Sequence, residues 1–165
     1  MAFTHMACAV RFTAKVYTSL ALTIHFTMVK YWAMNQRKGK VRILVIEDDT
    51  PVAMMIVNLL TRAKCEVVVA QTAAKGVQLA EKENFNLVTL DINLPDGNGV
   101  DLCRRLKANP RFSGIPIVFV SGPSGQDLQH GFDAGAADHI AKPFAALEFA
   151  SRVLAHLHQP KKPVP

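Results

Sequence analysis

From Val41 onward the chain alternates five short apolar runs with five stretches of helical spacing, and that rhythm constrains the fold more than any other feature. The apolar, β-rich runs cover 41–46, 66–70, 86–90, 115–120 and, more weakly, 138–141. Helical spacing covers about 50–63, 73–83, 99–108, 125–134 and 145–158. A strand followed by a helix five times over predicts a parallel sheet covered on both faces. Arg42-Ile43-Leu44-Val45-Ile46 is nearly continuous in apolar residues, as a strand buried on both sides must be. Thr50 before Pro51 predicts a helix start, with the Thr hydroxyl as cap and Pro in the first turn. At 165 residues there is room for one ordinary domain.

Charge separates the chain into a leader and a body. Six of the 19 Lys and Arg residues (Arg11, Lys15, Lys30, Arg37, Lys38, Lys40) lie in residues 1–40, which contain no acid. The other 13 basic residues balance all 13 acidic ones, so the net charge of +6 belongs to the leader. A neutral body argues against a nucleic-acid-binding fold. The 14 uncharged residues between Lys15 and Lys30 are too few to span a bilayer, which takes about 20. A signal peptide fits them poorly, because Trp32-Ala33-Met34 is a poor cleavage site. An added strand or membrane-surface segment, and a non-native extension with translation starting at Met34, stay open. Cys8, Cys65 and Cys103 are widely spaced and odd in number, which points to reduced thiols in a cytoplasmic protein. Cys65 and Cys103 are expected as small apolar packing residues.

Ligands of such sheets bind at the carboxyl ends of the strands. The first run ends in Glu47-Asp48-Asp49, the third in Asp91, the fourth in Ser121, and the fifth is followed by Lys142-Pro143. If the first, third and fourth strands are neighbours, these groups share one crevice. Carboxylates held together repel and raise each other's pKa. A divalent cation removes that penalty, and hard oxygen donors suit Mg²⁺. The set matches phosphoryl transfer: a carboxylate oxygen attacks, the metal neutralises charge, and Lys and Ser hold the remaining oxygens. Each feature alone is commonplace. Their joint presence at four of five strand ends is not.

Over about 118 residues these motifs resemble the receiver domain of two-component response regulators. Arg42 to Pro51 looks like the family's first strand with its acidic pair, Glu47 and Asp48. Leu90-Asp91-Ile92-Asn93-Leu94-Pro95-Asp96-Gly97-Asn98-Gly99 is similar to its phosphoacceptor loop. Val118-Phe119-Val120-Ser121-Gly122 resembles its fourth strand, and Ala134 to Phe144 its fifth-strand signature. The resemblance implies a flavodoxin-like (βα)5 α/β fold, doubly wound, with strand order 2-1-3-4-5. It implies that Asp91 is the phosphoacceptor, assisted by Ser121 and Lys142. It implies Mg²⁺ (or Mn²⁺) on Asp48, Asp91 and the Asn93 carbonyl, with Glu47 acting through water. Lys142–Pro143 falls where the family has a cis peptide. Ser121 and His139 are the implied switch pair, with His139 where the family more often has Tyr or Phe; a half-exposed surface histidine with no switching role is the alternative.

The expected module is 41–158, with 1–40 a leader and 159–165 a short tail. The stretch from Ser121 to Lys142 is one residue shorter than the family norm, and Gly122-Pro123-Ser124-Gly125 favours a late start for the fourth helix. Positions 93 and 123 are where the family varies the lifetime of the phosphoryl group. With no output domain in view, the expectation is a single-domain response regulator in a phosphorelay. Its partners would be a histidine kinase or phosphotransfer protein and a downstream effector protein, with no nucleic acid bound directly and no membrane span. It is expected to be a signalling module rather than an enzyme, with at most weak self-phosphorylation and self-dephosphorylation. A haloacid-dehalogenase-like phosphatase would need an acid at position 93, which is Asn. A degenerate, docking-only receiver would not need the complete set of side chains. His156 and His158 are expected to be solvated surface residues.

Overall fold

The structure, a computed structural model, describes residues 40–122 and 125–157. The expectations for the leader, Pro123, His158 and the 159–165 tail lie outside the described residues. In chain order the elements are β1 (Arg42–Ile46), α1 (Thr50–Arg62), β2 (Glu66–Ala70), α2 (Ala73–Lys82), β3 (Leu87–Leu90), β4 (Asn93–Leu94) and β5 (Gly97–Asn98). They continue as α3 (Gly99–Ala108), α4 (Pro110–Ser113), β6 (Ile117–Ser121), α5 (Gly125–Asp133), β7 (Asp138–Ala141) and α6 (Ala146–His156).

β1, β2, β3, β6 and β7 form one parallel sheet in the order β2-β1-β3-β6-β7. Counting only these five strands, this is the flavodoxin-like order 2-1-3-4-5. Period-two geometry sends alternate residues of β1 to opposite faces. Leu44 and Ile46 join Leu90, Leu106 and Phe119 in the core beneath α2, α3 and α4. Ile43 and Val45 join Ile56, Leu60, Phe149 and Val153 beneath α1 and α6. Both faces are therefore apolar, which explains the unbroken hydrophobic run. Burying each such side chain stabilises the fold by roughly 1.5–3 kcal/mol. Cys65 and Cys103 are buried in these cores.

Four details differ from the sequence reading. The cap of α1 is Asp49, whose Oδ1 accepts from the Val52 amide at 3.0 Å. Thr50 is the first helical residue, and its hydroxyl instead accepts from Gln71 Nε2. The carboxylate one residue earlier reaches the orphan amide, so it takes the role. The third and fourth sheet strands begin later than expected. Asn86 Oδ1 accepts from the Arg42 amide outside the strand pairing, and Ile115 closes the short helix α4 by donating to Phe112. That helix was missed, although Asn109-Pro110 announces it: Asn109 Oδ1 caps the Arg111 amide at 3.0 Å.

The fourth difference is His156. Its side chain keeps only 15% exposure, and Nε2 lies 3.2 Å from Asp138 Oδ2. Arg152 completes the cluster, with Nη2 2.5 Å from Asp138 Oδ1 and Nε 3.1 Å from Oδ2. His156 is not solvated surface, because the last turn of α6 lies over β7, where Asp138 offers an acceptor. α5 begins at Gly125, where the helical spacing placed it. No helix among the described residues is long and apolar enough to cross a membrane.

Candidate functional site

The backbone brings the acidic groups together. Beyond the last paired residues of β1 and β3, the Glu47 amide donates to Ala70 and the Asp91 amide donates to Ile46, both at 2.9 Å. These bonds extend the parallel ladder by one residue, so both carboxylates emerge at the carboxyl edge of the sheet. Glu47 and Asp91 are buried, whereas Asp48 is exposed. One carboxylate oxygen from each of Glu47, Asp48 and Asp91 lies within 4.8 Å of the others.

The cation arrives from the far side of the sheet. Ser121 pairs with Ala141, and the Lys142 amide donates to the Ser121 carbonyl at 2.7 Å. The peptide bond from Lys142 to Pro143 is cis. The Lys142 ammonium donates to Asp91 Oδ2 at 2.6 Å and to Glu47 Oε1 at 2.8 Å. Burial alone would lower the pKa of Lys142, but the hydrogen bonds and charges of Asp91 and Glu47 outweigh it and hold the amine above its ordinary range. Burial pushes the Glu47 carboxyl up to about 7, and the charge of Asp91 pushes the same way while Lys142 opposes both.

One lysine does not neutralise three carboxylates. Glu47 Oε2 is buried, 2.8 Å from the Lys142 ammonium, which is shared with Asp91. With Asp48 close by, the cluster holds more negative charge than this one cation balances, and further positive charge would stabilise it. The donor set is all oxygen and anionic, which suits Mg²⁺ over softer metals. The residues present therefore fit a divalent ion.

The loop after Asp91 is compact. β4 and β5 pair through Asn93 with Asn98 and Leu94 with Gly97, and the Asn93 amide donates to Asp91 Oδ1 at 3.2 Å. Asn98 caps α3 by accepting from the Val100 amide at 2.7 Å. Gly99 is required by close approach: a Cβ there would stand 2.1 Å from the Asp91 carbonyl oxygen.

Ser121 is fully buried at the end of β6. Its hydroxyl lies 2.9 Å from His139 Nε2 and 3.3 Å from the Gly122 carbonyl. His139 is half-buried, on β7 beside Phe119. Among the described residues, a Cβ on Gly122 would meet nothing within 4 Å. Sequence reasoning passed over Asp96, which caps α2 across the loop, and Arg152, which anchors α6. Neither stands in a pattern that distinguishes it from an ordinary surface charge.

Known proteins bear directly on this arrangement. The sequence profile described as the response regulator receiver domain matches residues 43–154. The chain is 35% identical over 119 residues to the uncharacterized transcriptional regulatory protein YrkP of Bacillus subtilis, covering 72% of this chain and 50% of that one. It is likewise 35% identical over 119 residues to the DNA-binding response regulator MtrA of Mycobacterium tuberculosis, covering 72% and 51%. The chain thus spans about half the length of these curated relatives. Among solved structures, a putative response regulator from Chloroflexus aurantiacus superposes with a TM-score of 0.71 at 30% identity, covering 73% of this chain and 100% of that one. The non-phosphorylated HemR receiver domain from Leptospira biflexa gives 0.69 at 32% identity, covering 76% and 100%. The acidic crevice at the sheet edge, the strand order and the matching profile agree: this chain belongs to the response regulator receiver domain family.

Proposed function

We propose that the module, over residues 41–158, takes a phosphoryl group from a histidine kinase or phosphotransfer protein onto Asp91 and signals by changing shape. The observation that carries this reading is the contact between the Lys142 ammonium and Asp91 Oδ2, at 2.6 Å, inside the acidic crevice. An Asp91 carboxylate oxygen attacks phosphorus in line, the phosphorus–donor bond breaks, and the leaving group departs with its electron pair. Lys142 stays charged and holds a phosphoryl oxygen, while Ser121 donates its hydroxyl to another. Asp48, Asp91 and the Asn93 carbonyl would hold Mg²⁺ or Mn²⁺, with Glu47 acting through water. The ion supplies charge neutralisation for the transferring group.

The acyl phosphate adds negative charge next to Ser121, which then exchanges its bond to His139 for one to the phosphoryl group. His139 repacks on β7, and the face formed by α5, β7 and α6 changes with it. The DNA binding named for MtrA is said of a protein of which this chain covers about half. For this chain we infer an output through contact with a partner protein, in the cytoplasm, and no turnover of a separate substrate beyond weak self-phosphorylation and self-dephosphorylation. The test is intact mass after incubation with a small acyl-phosphate donor and Mg²⁺. Wild type gains one phosphate, and Asp91→Ala or added chelator abolishes the gain. Equal labelling of wild type and Asp91→Ala overturns the assignment.

A further inference from the structure

The hairpin that follows Asp91 has only two residue pairs, too few to be stable alone. It is held from outside by a residue of its own turn. Asp96 Oδ1 accepts from the Ala73 amide at 2.7 Å, and Oδ2 accepts from the Ala74 amide at 2.8 Å. Both amides belong to the first turn of α2, whose free N–H groups need acceptors and whose dipole favours an anion. The helix has its own cap as well, Thr72, whose hydroxyl accepts from the Lys75 amide at 3.1 Å. Asp96 therefore ties two elements together. α2 in turn packs against the acidic pair's strand, because Gly76 sits so close to Ile46 that a Cβ would stand 2.5 Å from its Cδ1. Ile46 immediately precedes Glu47, and its carbonyl receives the Asp91 amide. Asp96 thus fastens the loop after Asp91 to a helix seated on the residue before Glu47.

We propose that Asp96 is a positioning residue for the metal and phosphoryl chemistry: its two-amide clamp on α2 fixes the Asn93 loop relative to Glu47 and Asp91. This rests on the Asp91 reading above. Its ligand is the helix backbone, and it acts only through the loop it holds. Coupling is reciprocal, so ordering the loop with Mg²⁺ also protects the Ala73 and Ala74 amides from hydrogen exchange.

The test compares Asp96→Ala and Asp96→Asn with Thr72→Ala in the full chain, by Mg²⁺ titration calorimetry and by labelling with a small acyl phosphate. Thr72→Ala weakens the same helix start without touching the loop. The expected result is Mg²⁺ affinity weakened about tenfold in Asp96→Ala and less in Asp96→Asn, which keeps one acceptor. Thr72→Ala stays within about twofold of wild type. Asp96→Glu, with two acceptor oxygens, recovers part of the loss. Mg²⁺ slows exchange at Ala73 and Ala74 in wild type and not in Asp96→Ala. Equal weakening by Thr72→Ala and Asp96→Ala, or no change in either, overturns the proposal. If wild type itself takes no phosphate, or Asp91→Ala labels equally, the Asp91 reading fails instead. Should Asp96→Ala not fold, Asp96→Asn and Asp96→Glu decide between the same outcomes.

Discussion

The Ser121 hydroxyl is bonded to His139 Nε2 at 2.9 Å, so the residue offered to a phosphoryl group is already engaged on the neighbouring strand. In the proposed phosphorylation of Asp91, a Ser121 hydroxyl that donates to Nε2 must exchange that bond. A neutral hydrogen bond contributes about 1 kcal/mol net. His139→Phe removes it and keeps the ring volume, so phosphorylation by a small acyl phosphate should accelerate about fivefold, the equivalent of that 1 kcal/mol. Time courses of labelled mass for the two proteins check this. Unchanged rates would mean that His139 does not compete for the hydroxyl.

Lys142→Met is expected to separate stability from chemistry. Removing the ammonium leaves Glu47 and Asp91 as neighbouring buried carboxylates. The expected cost without metal at pH 8 is about 2 kcal/mol, below the range for fully buried pairs because Lys142 retains 21% side-chain exposure. Mg²⁺ supplies the missing positive charge, so it should restore most of that stability and bind more tightly than to wild type. Phosphoryl labelling should still be lost. Denaturant melts with Mg²⁺ and with chelator measure the first claim, and intact mass measures the second.

Glu47 predicts how protons compete with metal. Burial, aided by the charge of Asp91, raises its carboxyl to about 7. A carboxyl with a raised folded-state pKa binds its proton more tightly when folded. The metal-free protein therefore loses stability as pH rises from the ordinary carboxyl range through about 7. A cation in the crevice favours the ionised form, so metal binding expels the proton. Apparent Mg²⁺ affinity should fall as pH drops below about 7, by up to about tenfold per unit. Calorimetry at pH 6 in buffers of different ionisation enthalpy should register proton release, which Glu47→Gln should abolish. A flat pH profile in wild type would remove Glu47 from the metal's surroundings.

Much of this was legible in the sequence because it depends on periodicity and on strand ends. The apolar run 42–46 implied a strand buried on both faces, and five alternations implied a parallel sheet with Glu47, Asp91, Ser121 and Lys142 at the carboxyl ends of its strands. What escaped depends on which of several polar side chains reaches a given amide. Asp49 and Thr50 are both good caps, and only the backbone path decides between them. His156 and Asp138 are 18 residues apart, and nothing local distinguishes a histidine lying over β7 from one facing water.

Gly99→Ala should damage the site more than its small size suggests. The added methyl would stand 2.1 Å from the Asp91 carbonyl oxygen and 2.9 Å from the Ile92 Cα, both backbone atoms that cannot rotate away. Overpacking of this kind costs about 3 kcal/mol, and the loop must shift to relieve it. A displacement near 1 Å at a reacting group slows the chemistry about a hundredfold. Labelling should therefore fall far more than the folded fraction at 25 °C, as read by circular dichroism and intact mass on one sample. A Gly97→Ala control, where a Cβ meets nothing within 4 Å, should label close to wild type.

Asp138, at the start of β7, binds Arg152 and His156 of α6. Burial pushes its carboxyl up, but bonds from Arg152, the His139 amide and His156 more than offset that and hold it below the ordinary range. A depressed carboxyl contributes stability that is present above its unfolded-state pKa and is lost as pH falls through the lower folded value. The cluster therefore stabilises the fold at neutral pH and stops doing so in acid. Asp138→Asn removes the charge while keeping the shape, and should lower the Tm at pH 7 by about 4 °C for each kcal/mol lost. The gap between variant and wild type should narrow as pH falls below the ordinary carboxyl range. Because Arg152 also donates to the His139 carbonyl at 2.9 Å, Arg152→Ala should lower the Tm at least as much and accelerate hydrogen exchange along β7. A Tm difference that stays constant from pH 7 to pH 2 would show that the Asp138 charge does not hold α6 to the sheet.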